Sequence, residues 1–166
     1  NVYNGLKDKY NAKRDLFPLE PLDQEEQYAI NKFIGSSGFK LNDAIRRDQL
    51  TANDKEFITN LDKGLDKMPN YQGEVIRTIT NDRGDIQDIL KDLDQEVPFK
   101  SYTSASIKER FHEDASIIMR INSKTGKNIS LFNKGEQEVL FKRGLKYKVI
   151  SKTKKENTYY FQLEEK

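Results

Sequence analysis

The 166-residue sequence predicts an α+β protein in which helices come first and an antiparallel sheet follows. Three observations carry that class. Apolar residues up to Met68 recur at helical spacing, as in Phe57, Ile58, Leu61 and Leu65. Beyond Pro69, short β-branched and aromatic runs alternate with turn residues. No internal repeat or low-complexity linker divides the two regions. The length suits one domain over residues 1–166, with residues 1–68 mainly helical and residues 69–166 mainly β.

Asp23 is a suitable cap for a helix over residues 24–33, whose stripe is Ala29, Ile30, Phe33 and Ile34. Gly35-Ser-Ser-Gly38 breaks it. Residues 40–47 read as a short amphipathic segment. Thr51-Ala-Asn-Asp opens a third helix that carries the Phe57-to-Met68 stripe, and Pro69-Asn70 ends it. Residues 74–80 form the first strand, Asn81-Asp-Arg-Gly84 a turn, and residues 86–93 one more helix. Strands are expected over residues 99–104, 116–121, 128–132, 136–142, 146–152 and 158–163, with a hairpin connection at residues 154–157.

Composition removes several chemistries. With no cysteine, the chain has no disulfide, no thiol nucleophile and no thiolate metal site. One histidine, His112 in a polar stretch, leaves no paired-histidine motif. The 29 basic and 27 acidic residues nearly cancel, so no global field draws nucleic acid, and none is expected as a partner. The basic run Lys152-Thr-Lys-Lys155 reads as a solvated hairpin end. No apolar run reaches membrane-spanning length. No signal-like stretch follows Asn1, so the chain reads as a mature secreted form or an excised domain.

Three features carry chemistry. Glu136 and Glu138 lie two apart in an expected strand, which would put both carboxylates on one face, about 6.5–7 Å apart at the backbone. Such a pair can divide labour, one stabilising a cation and the other orienting or deprotonating a nucleophile. Small hydroxyl residues in Tyr102-Thr-Ser-Ala-Ser106 can hydrogen-bond a carboxylate and fix its rotamer. Arg77 stands alone among Val75, Ile76, Thr78 and Ile79, and facing inward it would need an anion such as phosphate.

The order of these pieces resembles the mono-ADP-ribosyltransferase toxins of the Arg-Ser-Glu branch, which includes iota-like and Rho-modifying exoenzymes. The resemblance runs from about residue 42 to residue 149 and takes in Gly135-Glu-Gln-Glu-Val-Leu-Phe141 and the helical Leu41-Asn42-Asp43-Ala44-Ile45-Arg46. Two positions depart from the family pattern. Ala105 stands where the middle Thr of Ser-Thr-Ser is usual, and Ile76 where many members carry an aromatic residue or a second arginine.

The resemblance implies a core of two antiparallel sheets enclosing a cleft for NAD as co-substrate, without a metal. Glu138 would stabilise the ribosyl cation and Ser104 would hold Glu138. Arg77 would bind phosphate, the backbone of Thr78 would clamp the carboxamide, and Asn42 and Arg46 would hold the adenosine and phosphate end. Arg110 and Phe111 would come from a mobile loop that meets the cofactor. Glu136 would select arginine as acceptor, and Phe132 would touch the target protein. The implied function is ADP-ribose transfer to an arginine of a target such as actin or a GTPase, with NAD hydrolysis as a side activity. The implied setting is a bacterial toxin or phage effector that is secreted or delivered into a host cytoplasm, with a delivery or translocation partner. The alternatives are an NAD glycohydrolase without protein acceptor and a non-catalytic toxin module that docks a translocation partner.

Overall fold

The computed structural model describes residues 16–108, 114–133 and 137–166. Within them a helical layer precedes a six-stranded sheet. Helix α1 (Gln24–Lys32) starts in a capping box. The Glu26 amide donates to Asp23 Oδ1 at 2.7 Å, and the Asp23 amide to Glu26 Oε1 at 3.0 Å. Glu26 also accepts from Lys67 Nζ at 2.6 Å, which ties the start of α1 to Lys67. A widened turn, Phe33–Ser37, follows, and Gly35 leaves helical geometry there (ψ −156°). The expected break is therefore a kink, because helix α2 (Gly38–Arg46) restarts at once. A Cβ at Gly38 would lie 2.2 Å from the Phe33 carbonyl oxygen, so the kink requires glycine. Helix α3 (Ala52–Lys67) opens in a second capping box, Thr51 with Asp54.

Strand β1 (Asn70–Thr80) leads through a turn to helix α4 (Ile86–Asp94). Strands β2 (Thr103–Ser106), β3 (Ala115–Asn128), β4 (Glu138–Phe141), β5 (Tyr147–Lys155) and β6 (Thr158–Glu165) follow. The β5–β6 hairpin closes on Glu156-Asn157, with Glu156 in the left-handed region (φ 57°).

The ladder order is β1-β2-β4-β3-β6-β5, and an added β1–β3 pairing closes the first four strands into a ring. Strand β3, 14 residues long, belongs to both parts of this network. It pairs with β1 along most of its length, with β6 at Ile117–Asn122, and at Lys127–Asn128 with β4. The two expected sheets therefore take the form of one continuous ladder. The expectation of wholly antiparallel pairing is corrected, because β3 and β6 run parallel. Gly126 lets β3 bend across β4, where a Cβ would lie 2.6 Å from Val139 Cγ1 and from Ser123 Oγ.

Alternation along β4 sorts two cores. Val139 and Phe141 join Val75, Ile79, Leu93, Ile117 and Met119, while Leu140 joins Ile30, Leu61, Leu65 and Tyr102 under the helices. Two expected strands change. The one over residues 128–132 is absent as a strand, because β3 ends at Asn128 and the chain turns, with the Phe132 amide donating to the Ile129 carbonyl at 2.9 Å. The one over residues 99–104 shrinks to a bridge, Phe99 with Leu145, before β2 begins at Thr103. Tyr102 cannot extend it, since the Asn42 carboxamide takes its amide and its carbonyl at 3.1 and 3.2 Å.

Candidate active site

Glu138 opens β4 and is buried, 8% exposed. Its ladder partner on β2 is Ser106, and Ser104 pairs with Leu140. Residues two apart on a strand share a face, so Ser104 is the diagonal neighbour of Glu138. Ser104 Oγ donates a short hydrogen bond to Glu138 Oε1. Strand geometry thus aims the hydroxyl at the carboxylate and fixes its rotamer.

Arg77 reaches the same place from β1. Strands β1 and β2 pair at Ile76 with Ser106. Beyond that point Arg77 Nη1 donates to the Ser104 carbonyl oxygen at 2.8 Å. One residue of β2 therefore binds Glu138 through its side chain and Arg77 through its backbone. Arg77, Ser104 and Glu138 come from three strands and form one connected group.

Arg77 also lines a 340 Å³ cleft with Arg46, Arg83, Asp85, Phe99 and Tyr102, among others. Burial, together with the neighbouring Arg83 and Arg46 guanidiniums, lowers the Arg77 pKa to about 10, against support from Asp85 and Glu138. Arg77 therefore keeps its charge at neutral pH while being poorly solvated, which favours binding an anion. A larger cavity, 580 Å³, lies between α1 and α3, and none of these residues lines it.

The other expected residues divide. Arg46 faces the cleft and its Nη1 donates to Ser101 Oγ at 3.4 Å. Asn42 spends its carboxamide on Tyr102, and so fixes α2, and with it Arg46, against the entry to β2. Thr78 follows Arg77 on β1, half-buried and paired with Ile118. Phe132 is half-buried against the helical core in the turn after β3. Glu136, Arg110 and Phe111 lie outside the described residues, as does His112. The strand expected over residues 136–142 is shorter at its start, and the spacing of Glu136 and Glu138 on one face involves a residue outside the described ones. Gln137 has a left-handed backbone (φ 46°), so the extended strand starts at Glu138. The Gln137 carbonyl accepts from the Ile107 amide at 3.0 Å, which ties the segment before Glu138 to the end of β2.

Sequence reasoning missed Arg83 and Asp85, which sit at the cleft. Their stretch reads as an ordinary charged turn, and nothing in its spacing marks it as facing inward. It also missed the polar brace behind β2, in which the buried Tyr102 hydroxyl donates to Asp62 Oδ1 and Arg143 Nη2 donates to Asp62 Oδ2 at 3.4 Å. Burial and the Asp62 carboxylate push the Tyr102 pKa up, so the phenol stays protonated.

The chain belongs to the ADP-ribosyltransferase exoenzyme family, whose model matches residues 5–166. It is 30% identical over 142 residues to the candidate NAD(+)–arginine ADP-ribosyltransferase Mav of Mycobacterium avium (strain 104), a match that covers 82% of this chain and 17% of that protein. It is 30% identical over 153 residues to the NAD(+)–protein-arginine ADP-ribosyltransferase Tre1 of Serratia proteamaculans (strain 568), covering 89% of this chain and 34% of that protein. The chain thus spans 17% and 34% of the length of these two relatives. Its fold is similar to that of the type III effector XopAI of Xanthomonas axonopodis pv. citri, with a TM-score of 0.74 and 21% identity, over 99% of this chain and 73% of that one.

Proposed function

We propose that this chain transfers ADP-ribose from NAD to an arginine of a target protein, with NAD hydrolysis as a side reaction. The observation that carries this reading is the Arg77–Ser104–Glu138 connection, which joins a phosphate-binding cation to an oriented carboxylate across one residue of β2. The names of the Mav and Tre1 relatives support the same chemistry and the arginine acceptor.

The residues fit NAD as substrate. Guanidiniums in the cleft suit its pyrophosphate, and Ile79, Ile89, Phe99 and Met119 supply apolar lining. The glycosidic bond between ribose and nicotinamide breaks, the bonding pair leaves with nicotinamide, and positive charge develops on the ribose. Glu138, held by Ser104, faces that charge and lowers the barrier electrostatically. A guanidine nitrogen of the target then bonds to the ribose carbon and loses a proton, for which Glu136 is the acceptor in this reading. Thr78, Arg110 and Phe111 would hold the nicotinamide side and Arg46 the adenosine side, with Asn42 placing Arg46 through its bonds to Tyr102, while Phe132 would meet the target.

The setting we propose is a toxin or effector that is secreted or delivered into a host cell, with actin or a GTPase as a target class and a separate delivery partner. No described helix is long and apolar enough to cross a membrane. We read residues 1–166 as one catalytic domain. Incubating a host lysate with tagged NAD tests the proposal. Label on arginine of a discrete protein is expected, and label recovered only as free ADP-ribose would replace transfer with hydrolysis.

A further inference from the structure

We propose that Arg83, held by Asp85, is a third pyrophosphate-binding residue of the cleft. This role rests on the NAD reading above and assigns a part of the same site that the sequence motifs do not include.

The geometry is that of a preset fork. Arg83 Nε donates to Asp85 Oδ1 at 3.0 Å and Nη2 to Asp85 Oδ2 at 2.6 Å. This two-point contact fixes the plane of the guanidinium and leaves Nη1 outside the pair. The pair is partly buried, with side chains 22% and 32% exposed, so it is not a fully solvated surface bridge. Both residues line the cleft that also holds Arg77 and Arg46. Arg83 and Arg46 each act electrostatically on Arg77, so the three guanidiniums occupy one neighbourhood.

The charge count in that neighbourhood favours an anion. Lys100 also lines the cleft, but it is paired with Asp48 at 2.7 Å. Asp85 offsets Arg83. Arg77 donates to a backbone carbonyl and Arg46 to a serine hydroxyl, neither of which cancels a charge. Asp92 lines the cleft as well, so three cations against two carboxylates leave an excess of one, a net positive charge that suits an anion. Arg83 leaves β1 in the turn directly after Thr80, so it approaches from the end of the strand that carries Arg77.

The test is calorimetric titration of the folded chain with ADP-ribose and, separately, with nicotinamide, at two salt concentrations. We expect Arg83→Ala to weaken ADP-ribose binding by roughly tenfold to a hundredfold and to reduce its salt dependence, with nicotinamide binding unchanged. Arg83→Lys should recover part of the affinity, because it keeps the charge and loses the fork. Asp85→Asn should weaken binding less than Arg83→Ala, and should add nothing in the Arg83→Ala background, as expected of a positioning residue. Thermal unfolding of each variant identifies any loss that comes from misfolding, in which case Arg83→Lys decides. Wild-type binding of ADP-ribose with equal binding by Arg83→Ala and Arg83→Lys would overturn the role of Arg83 alone. A wild-type chain that binds no ADP-ribose would remove this role together with the NAD reading.

Discussion

Ser104 and Glu138 are diagonal neighbours across the β2–β4 ladder, and the serine hydroxyl bonds the carboxylate directly. The same serine receives Arg77 on its backbone carbonyl. Whatever moves Ser104 therefore moves both ends of the site.

Ser104→Ala removes the bond that fixes the Glu138 rotamer and leaves the Arg77 contact in place. We predict a fall in kcat for NAD cleavage on the order of 100-fold, with KM changed little. Steady-state measurement of nicotinamide release checks this. Ser104→Thr keeps a hydroxyl and should retain part of the rate.

Arg77→Met should separate stability from function. The guanidinium is held in the fold at a desolvation cost, so an apolar side chain of similar length should leave stability within about 1 kcal/mol or raise it. ADP-ribose affinity should collapse. Parallel denaturant unfolding and calorimetry test the pair of outcomes.

The lowered Arg77 pKa has a pH consequence. Between about 10 and the ordinary 12.5, the unfolded chain holds a proton that the folded chain has released. Stability from this residue therefore rises with pH across that window, while binding of an anionic ligand weakens as pH passes about 10. Arg77→Met should abolish both trends. Measurement of unfolding free energy and ADP-ribose affinity from pH 8 upward checks the signs.

Asn42→Ala strips the Tyr102 amide and carbonyl of their partners. We predict a loss of about 1–3 kcal/mol in stability and weaker NAD binding through displaced Arg46. Asn42→Asp, which keeps the acceptor and loses the donor, should fall between. Chemical denaturation orders the three proteins.

Gly126→Ala brings a methyl group against Val139 and Ser123 where β3 bends over β4. Overpacking of this kind costs roughly 1–3 kcal/mol, and here it presses on the strand that carries Glu138. Thermal unfolding should show the loss, and activity should drop with it.

Much of this fold could be read from the sequence because its signals are local. Asp23 with Glu26, and Thr51 with Asp54, announce two helix starts by side chains three residues apart. The order arginine, serine, glutamate places the site because each residue lies on a different strand. What escaped prediction depends on pairing at a distance. Tyr102 looks like strand until Asn42, sixty residues away, claims its backbone groups. Asn128 looks like the start of a strand because nothing local reveals that it is where β3 ends. Gln137 is a polar residue in an apparent strand, and its left-handed turn depends on its place between the Asn133 carbonyl and the Ile107 amide. Arg83 reads as turn because its inward direction is set by Asp85 and the strand end, and spacing carries neither.

The most direct test is single-turnover release of nicotinamide from NAD by the wild-type chain and by Glu138→Gln, which keeps the shape and removes the charge. We predict a wild-type burst and a loss on the order of 10²–10³-fold in the variant, with ADP-ribose still bound. Equal rates for the two proteins would contradict the assignment of Glu138 as the group that stabilises the ribosyl cation.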